Sequence, residues 1–266
     1  MVDEVLDQLI AAVLGSAKYR AIHPGLVARI GKDELAKGRK LKEAVKATKN
    51  KLHQVGGAYL GGQKPYAEWL SDLTEYQYDV ETFELLLLEI MENHASTKER
   101  VPILDHFYTS IFASLPPFES VLDIACGLNP LTIPWMNLPS GTKYFACDIY
   151  GDMIGFVQEV LNLLPIDGTA QSCDGISNPP GTEVDLALVL KTIPCLEQVD
   201  KQAGERLLEQ LNAKYILVSF PAKSLGGRDK GMRENYEARF NQLVEGKDWA
   251  VERFEFETEL AYLIRK

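Results

Sequence analysis

Three aspartates and one glycine carry the most chemical information in this sequence. Asp123 lies in the run Val121-Leu122-Asp123-Ile124-Ala125-Cys126-Gly127-Leu128-Asn129-Pro130, Asp148 stands 21 residues beyond Gly127, and Asp174 stands 26 beyond Asp148. Each closes or follows a short apolar run, so the three fall at successive strand ends, and a carboxylate after a second strand is placed to accept hydrogen bonds from both hydroxyls of a ribose. Taken singly, each is as readily a solvated strand-end residue. Gly127 removes a side chain where backbone must approach a ligand closely, Ala125 and Cys126 are small, and Asn129 with Pro130 offers an N-cap and first-turn pair for a following helix. A nicotinamide dinucleotide wants a further glycine three residues after Gly127, and Pro130 stands there.

Those strand ends need strands. From Ser120 the chain alternates short apolar runs with helical stretches, at 120–124, 143–147, 169–173, 185–190 and 214–220. This alternation predicts an α/β fold, a parallel sheet covered by helices on both faces. Two more strand-like runs, 250–256 and 260–264, end the chain. Residues 1–115 read instead as an all-α N-terminal domain: helices over 2–14, from Pro24, over 41–60, and two or three more. Breaks fall at His23-Pro24-Gly25, Gly31, Gly56-Gly57 and Gly61-Gly62. The last helix starts at Ser96-Thr97-Lys98-Glu99, the spacing of a capping box in which the Ser96 hydroxyl accepts from the Glu99 amide and the Glu99 carboxylate reaches back. The resulting division is 1–115 and 116–266.

The net charge of −10 over 266 residues argues at first against a polyanionic partner. Its distribution reverses that reading. Residues 1–60 hold 11 Lys and Arg against 6 Asp and Glu, leaving 17 basic against 32 acidic for the remainder. From Lys18 to Lys51 the balance is 11 to 3. A charge run is usually a solvated helix face, but a basic block on an acidic chain suits phosphate contact. The four cysteines, Cys126, Cys147, Cys173 and Cys195, lack the close pairs of a metal site and read as reduced, buried thiols. The longest aliphatic run, 85–88, is too short to span a bilayer and the start lacks a basic, then apolar, leader, so a cytoplasmic protein is expected.

The turn resembles motif I of class I methyltransferases, Asp-x-Gly-x-Gly-x-Gly, with Asp123, Ala125, Gly127 and Asn129 at the matching places. Only one of its three glycines is kept. The resemblance implies the class I (Rossmann-like) fold, a seven-stranded, mostly parallel sheet closed by an antiparallel pair, with S-adenosylmethionine as cofactor and Asp174 near the adenine amine. Two acceptor signals are weaker. Asn178-Pro179-Pro180 imitates the motif of exocyclic-amine enzymes but precedes the fourth strand, and Pro194-Cys195 imitates the cytosine C5 nucleophile but is followed by Leu196-Glu197, with no basic partner to activate a thiolate.

Three longer segments, His94-Ala95-Ser96-Thr97-Lys98-Glu99-Arg100, 123–130, and 219–232 with its Gly226-Gly227-Arg228-Asp229-Lys230-Gly231, are together similar to the aminoglycoside-resistance methyltransferases that modify guanine N7 at nucleotide 1405 of 16S rRNA. Lys18-Tyr19-Arg20 and Lys51-Leu52-His53-Gln54 extend the likeness over nearly the whole chain. It implies that Arg100 binds the methionine carboxylate, with Gly127, Asp148, Ile149, Asp174 and Lys191 around the cofactor. A surface ion pair from Arg100 to Glu99 or Asp105 is the alternative, and Lys191 could equally be structural. It implies further that Arg228 and Lys230 contact phosphate or guanine while Asn235 and Tyr236 stack on or orient the base. Lys18, Arg20, Lys42, Lys46, Lys49, Lys51 and Lys223 would meet RNA of the 30S subunit, and the enzyme would act as a monomer away from any membrane. Guanine N7 has a free lone pair and no proton, so the transfer needs placement rather than a general base, and no metal. The base must leave its stack, because N7 lies in the deep major groove of A-form RNA. Three rivals stay open: another rRNA base, a small-molecule methyltransferase with a helical lid, and a non-catalytic cofactor- or RNA-binding protein.

Overall fold

The computed structural model describes residues 2–56, 64–175, 179–198, 200–222 and 231–266. Seven strands form one sheet in the order β3-β2-β1-β4-β5-β7-β6, with β1 (Ser120–Ile124), β2 (Lys143–Asp148), β3 (Asp167–Ser172), β4 (Val184–Leu190) and β5 (Ala213–Pro221) mutually parallel. β6 (Ala250–Glu255) and β7 (Glu259–Arg265) close it antiparallel to β5 and to each other. This is the sheet that the alternating runs predict. β4 is buried at six of its seven positions, as a strand covered on both faces must be, whereas edge strand β3 alternates between exposed and half-buried residues.

The helical segment consists of α1 (Val2–Leu14), α2 (Pro24–Ala36), α3 (Leu41–Gly56), α4 (Tyr66–Glu75), α5 (Val80–Met91), α6 (Ala95–Arg100), a 3-10 turn (Val101–Ile103) and α7 (Leu104–Phe112). The helical reading of 41–60 is met as far as Gly56, and Gly57, Leu60, Gly61 and Gly62 lie outside the described residues. Gly31 breaks nothing. It sits inside α2, where a Cβ would come within 2.5 Å of Leu9 Cδ2, so the glycine lets α1 and α2 touch and its conformational freedom is not used.

The Ser96 capping box is not formed. His94 is the N-cap of α6 and no side chain caps it, Thr97 Oγ1 donates to the carbonyls of Met91 and His94, and the Glu99 carboxylate takes Lys191 instead. A buried ammonium is a stronger partner for a carboxylate than a backbone amide one turn away. Asn129 is likewise no N-cap: a 3-10 turn runs from Asn129 to Thr132 and its side chain points into the protein.

Strand side chains alternate between two hydrophobic clusters, one per sheet face. Leu122, Ile124, Ala187, Val189 and Val218 pack with Leu9, Val13, Leu26 and Leu52 of the first three helices. Val121, Leu186, Leu188 and Leu217 pack with Leu73, Leu87, Phe107 and Tyr108 of the later ones. Backbone hydrogen bonds join the segment to the sheet at one seam, His23 N to Ile149 O and Gly151 N to Ala21 O, each 2.7 Å. The seam lies one residue past the end of β2.

Candidate functional site

The strand order reverses its winding between β1 and β4, and a doubly wound sheet opens its crevice there. A cavity of about 760 Å³, its mouth included, occupies that place, bordered by His94, Ser96, Ala125, Cys126, Asp148, Ile149, Gly175, Lys191, Thr192 and Cys195. Ala125 (φ 51°), Gly127 (φ 53°) and Lys191 (φ 56°) are all left-handed. Backbone strain concentrated around one cavity is a mark of a functional site.

Asp148 caps the turn. Its Oδ2 accepts from the Gly127 amide at 3.0 Å and its Oδ1 from the amides of Ile149 (2.6 Å) and Tyr150 (3.3 Å). Burial pushes its pKa up and the three amides oppose that. Two acceptors with about four lone pairs leave Oδ2 able to take one more hydroxyl. Gly127 meets His94: a Cβ there would stand 2.7 Å from Cε1 of the buried His94 ring, which would have to shift to admit it. Gly127→Ala therefore combines a left-handed φ with a clash, and is expected to destabilise the fold by about 1–3 kcal/mol and to weaken nucleoside binding, both measurable by calorimetry.

Behind the turn lies a sealed polar network. Asp123 Oδ2 accepts from Tyr144 (2.7 Å) and Asn129 (2.9 Å), and Asn129 Oδ1 accepts from Tyr108 (2.7 Å) and from Arg100 Nη1 (2.6 Å). Arg100 is fully buried and forks onto Glu259, Nε to Oε2 at 3.2 Å and Nη2 to Oε1 at 2.7 Å. The alternative of a surface pair with Glu99 or Asp105 is not met, because the arginine points inward. Glu259, at the head of β7, also accepts from Ser219 (2.5 Å) and faces Lys191 Nζ at 3.2 Å. Burial penalises both charges, yet each outweighs it for the other, so the Arg100 pKa is raised and that of Glu259 is lowered. Lys191 Nζ donates in addition to Glu99 Oε2 (2.8 Å) and Ser96 O (3.3 Å).

Two buried groups titrate in opposite senses. Burial, then the nearby charges of Arg100, Lys64 and Lys191, depress His94 from 6.5 to about 3, so its stabilising contribution is present above pH 6.5 and lost as pH falls toward 3. Burial raises Asp123 from 3.8 to about 6, so its contribution is present below 3.8 and lost as pH rises through 6. Between about pH 4 and 6 the two nearly cancel. Asp123→Asn removes one of them, and its stability should fall more steeply than the parent's on acidification, by about 1.4 kcal/mol per pH unit, in unfolding curves taken across that window.

The structure brings Ala125, Asp148, Ile149 and Lys191 to the cavity surface and places Asp123 and Arg100 behind it. Asp174 is buried rather than solvated, and Arg29 Nε of α2 reaches its Oδ2 at 3.3 Å. Tyr236, on the helix Met232–Val244, stacks on Phe220 at 5.1 Å, and Asn235 is exposed. Lys18, Arg20, Lys42 and Lys46 are exposed, Lys49 and Lys51 half-buried. Lys223, Arg228 and Lys230 lie outside the described residues, as does Asn178. Sequence reasoning missed Glu259 and also Glu34, a buried carboxylate of α2 that holds Lys37, Arg39 and Lys51 at 2.6, 3.1 and 3.2 Å. The cysteines depart from expectation too. Cys147 and Cys173 form a disulfide, with Cα atoms 5.7 Å apart where the ends of neighbouring strands β2 and β3 meet, while Cys126 and Cys195 are buried and not disulfide-bonded.

The cavity fits a nucleoside-bearing methyl donor. Asp148 borders it and retains an acceptor, and Ala125, Cys126 and Gly175 beside it are small enough to leave the space open. Comparison with known proteins agrees. The family model described as "Ribosomal RNA methyltransferase (FmrO)" matches residues 15–263. A 16S rRNA (guanine(1405)-N(7))-methyltransferase of Micromonospora echinospora is 37% identical over 99% of this chain and 98% of its own length, and one of Serratia marcescens 35% identical over 98% of each. Among solved structures, the 16S rRNA methyltransferase RmtF in complex with S-adenosyl-L-homocysteine superposes with a TM-score of 0.84 at 30% identity over 99% of this chain and 98% of that one. The 16S rRNA methylase RmtB gives 0.79 at 31% identity over 98% of each.

Proposed function

Because the chain belongs to the FmrO family of ribosomal RNA methyltransferases, we propose that it transfers a methyl group from S-adenosylmethionine to N7 of guanine 1405 in the 16S rRNA of the 30S subunit. Its consequence is resistance to aminoglycosides that bind the decoding site. The observation that carries the reading is the cavity at the β1/β4 reversal with Asp148 fixed by three backbone amides.

When bound, S-adenosylmethionine supplies an electrophilic methyl group on a positively charged sulfur. Asp148 holds the ribose, and Ala125, Gly127 and Ile149 line its approach. Lys191, with Arg100 behind it, faces the amino-acid end. Asp174 closes the adenine side with its charge offset by Arg29. Tyr236 approaches the base from the β5 side, and Arg228, Lys230 and Lys223 are assigned to phosphate or guanine contact by the family resemblance alone. The described residues need supply no general base, since N7 already presents its lone pair, and the work left to the protein is in-line placement and tolerance of the positive charge that develops on the ring.

Residues 1–115 dock the enzyme on folded RNA in this reading, with 116–266 carrying the cofactor. Lys42 and Lys46 project from α3 and Lys49 binds the Ser16 hydroxyl. Neutralising all three is expected to weaken 30S binding and to lower the salt slope by roughly 2–3, with the affinity for S-adenosylhomocysteine unchanged, in filter-binding and calorimetric titrations. The activity test incubates 30S subunits with radiolabelled cofactor and treats the RNA with borohydride and aniline. Label with scission at the target supports N7 methylguanine, and label without scission overturns it. Expression in a susceptible bacterium should protect against gentamicin and kanamycin but not apramycin.

A further inference from the structure

The cavity runs from the ends of β2 and β3, where Asp148 and Gly175 lie, to the end of β4, where Lys191 and Cys195 lie. On the proposed reading the cofactor's ribose sits at the Asp148 end, so the target base enters at the β4 side. Lys191 lines the cavity at that end, and the carboxylate of Glu99 on α6 stands directly beside it. Its Oε2 is fixed by Lys191 Nζ at 2.8 Å, its side chain is 29% exposed, and among the described residues its Oε1 has no hydrogen-bond partner. Tyr236 stands close enough for Glu99 and Cys195 to raise its pKa after burial has done most of that. A half-buried aromatic ring, stacked on Phe220, and a partly exposed carboxylate held by Lys191 therefore stand near one another beside the Cys195 and Lys191 end of the cavity.

We propose that Glu99 reads the target base, accepting hydrogen bonds from guanine N1–H and N2–H on its Watson–Crick edge while N7 is aimed into the cavity. The two edges meet at O6, and N1 and above all the 2-amino group point away from N7 across the purine. A base whose N7 points inward therefore presents N1 and N2 at the rim, where a carboxylate is useful, and not at the floor. Adenine offers no N1–H or 2-amino group and cannot make this pair, and displaced bases are read in this way by other base-modifying enzymes. The contact also favours the reaction. Methylation makes the ring cationic and its N1–H a better donor, so the bond to Glu99 is stronger in the transition state than in the ground state and appears in the rate rather than in binding alone. Glu99 needs no proton transfer for this, and its charge on Lys191 is kept throughout.

This inference rests on the guanine N7 reading, and the experiment separates the two. Parent and Glu99→Gln enzymes are compared on 30S subunits carrying either guanosine or inosine at the target, inosine lacking only the 2-amino group. Gln can still accept from Lys191, so the cluster stays intact. Single-turnover rate, S-adenosylhomocysteine affinity and 30S affinity are measured for each. The parent should prefer guanosine by about 5- to 150-fold, the discrimination expected of a good bidentate pair. Glu99→Gln should lose at least tenfold in rate on guanosine, lose no affinity for S-adenosylhomocysteine, keep 30S affinity within threefold, and discriminate guanosine from inosine by less than twofold. Undiminished discrimination in Glu99→Gln overturns the role of Glu99. So does a loss of S-adenosylhomocysteine affinity that matches the loss of rate, because Glu99 would then serve only to hold Lys191. Parent enzyme that labels the RNA without aniline scission refutes the N7 reading, and the Glu99 proposal with it. Glu99→Asp, which keeps the charge but retracts it, should recover part of the discrimination.

Discussion

Arg100→Met should lower the unfolding free energy by about 3–5 kcal/mol, because it breaks a buried ion pair by removing one partner. Glu259 would then sit fully buried with Lys191 as its one remaining cation, and Asn129 would lose the 2.6 Å donor that fixes its amide. Arg100→Lys is expected to restore only part of the loss, since an ammonium cannot make the two parallel bonds of the guanidinium fork. The binding readout is separate. In the parent, Arg100 and Lys191 balance Glu99 and Glu259, so the cluster is neutral. Without Arg100 it is anionic, and a ligand bearing a carboxylate should be disfavoured about tenfold, roughly 1.4 kcal/mol. A ligand without the amino-acid chain, 5′-methylthioadenosine, should bind both proteins within about twofold. Equal losses for S-adenosylhomocysteine and 5′-methylthioadenosine would mean that Arg100 shapes the whole cavity and not its carboxylate end.

Asp148→Ala is the second large effect. Three backbone amides, those of Gly127, Ile149 and Tyr150, lose their acceptor together, and the ribose loses its own. A hydrogen bond to a charged group contributes about 1.5–3 kcal/mol, so S-adenosylhomocysteine affinity should fall about 10- to 150-fold by isothermal titration, taking 5′-methylthioadenosine with it. That shared loss distinguishes it from Arg100→Met. The turn beside β1 would loosen as well, visible as faster amide exchange at Gly127 and Ile149.

The sheet was legible because its signals are local: apolar runs of strand length, helical stretches between them, and two more runs at the end. The cavity floor was legible for the same reason, as Ala125, Gly127 and Asp148 sit in or next to a turn whose chemistry is set by a few neighbours. What could not be read is long-range. Glu259 is 159 residues from Arg100, and the one hint was an acidic residue opening an otherwise apolar strand. Arg29 meets Asp174 across 145 residues. Local motifs also misled where a distant partner was stronger: Ser96 and Glu99 have the spacing of a capping box, but Lys191 claims the carboxylate, and Asn129 has the type of an N-cap, but Arg100, Tyr108 and Asp123 claim its amide. Gly31 shows the same limit in packing, since only the position of Leu9 reveals why it lacks a side chain.

The seam between residues 21–23 and 149–151 has a thermodynamic corollary. Ile149 donates its amide to Asp148 and offers its carbonyl to His23, so one peptide segment answers to the ribose on one side and to the basic helices on the other. Any tightening there on one side shifts the equilibrium felt by the other, and the coupling is symmetric: if the ribosome sharpens affinity for the cofactor by some factor, the cofactor sharpens affinity for the ribosome by the same factor. On the proposed reading, these two short backbone bonds are the contact through which binding at one side would be felt at the other.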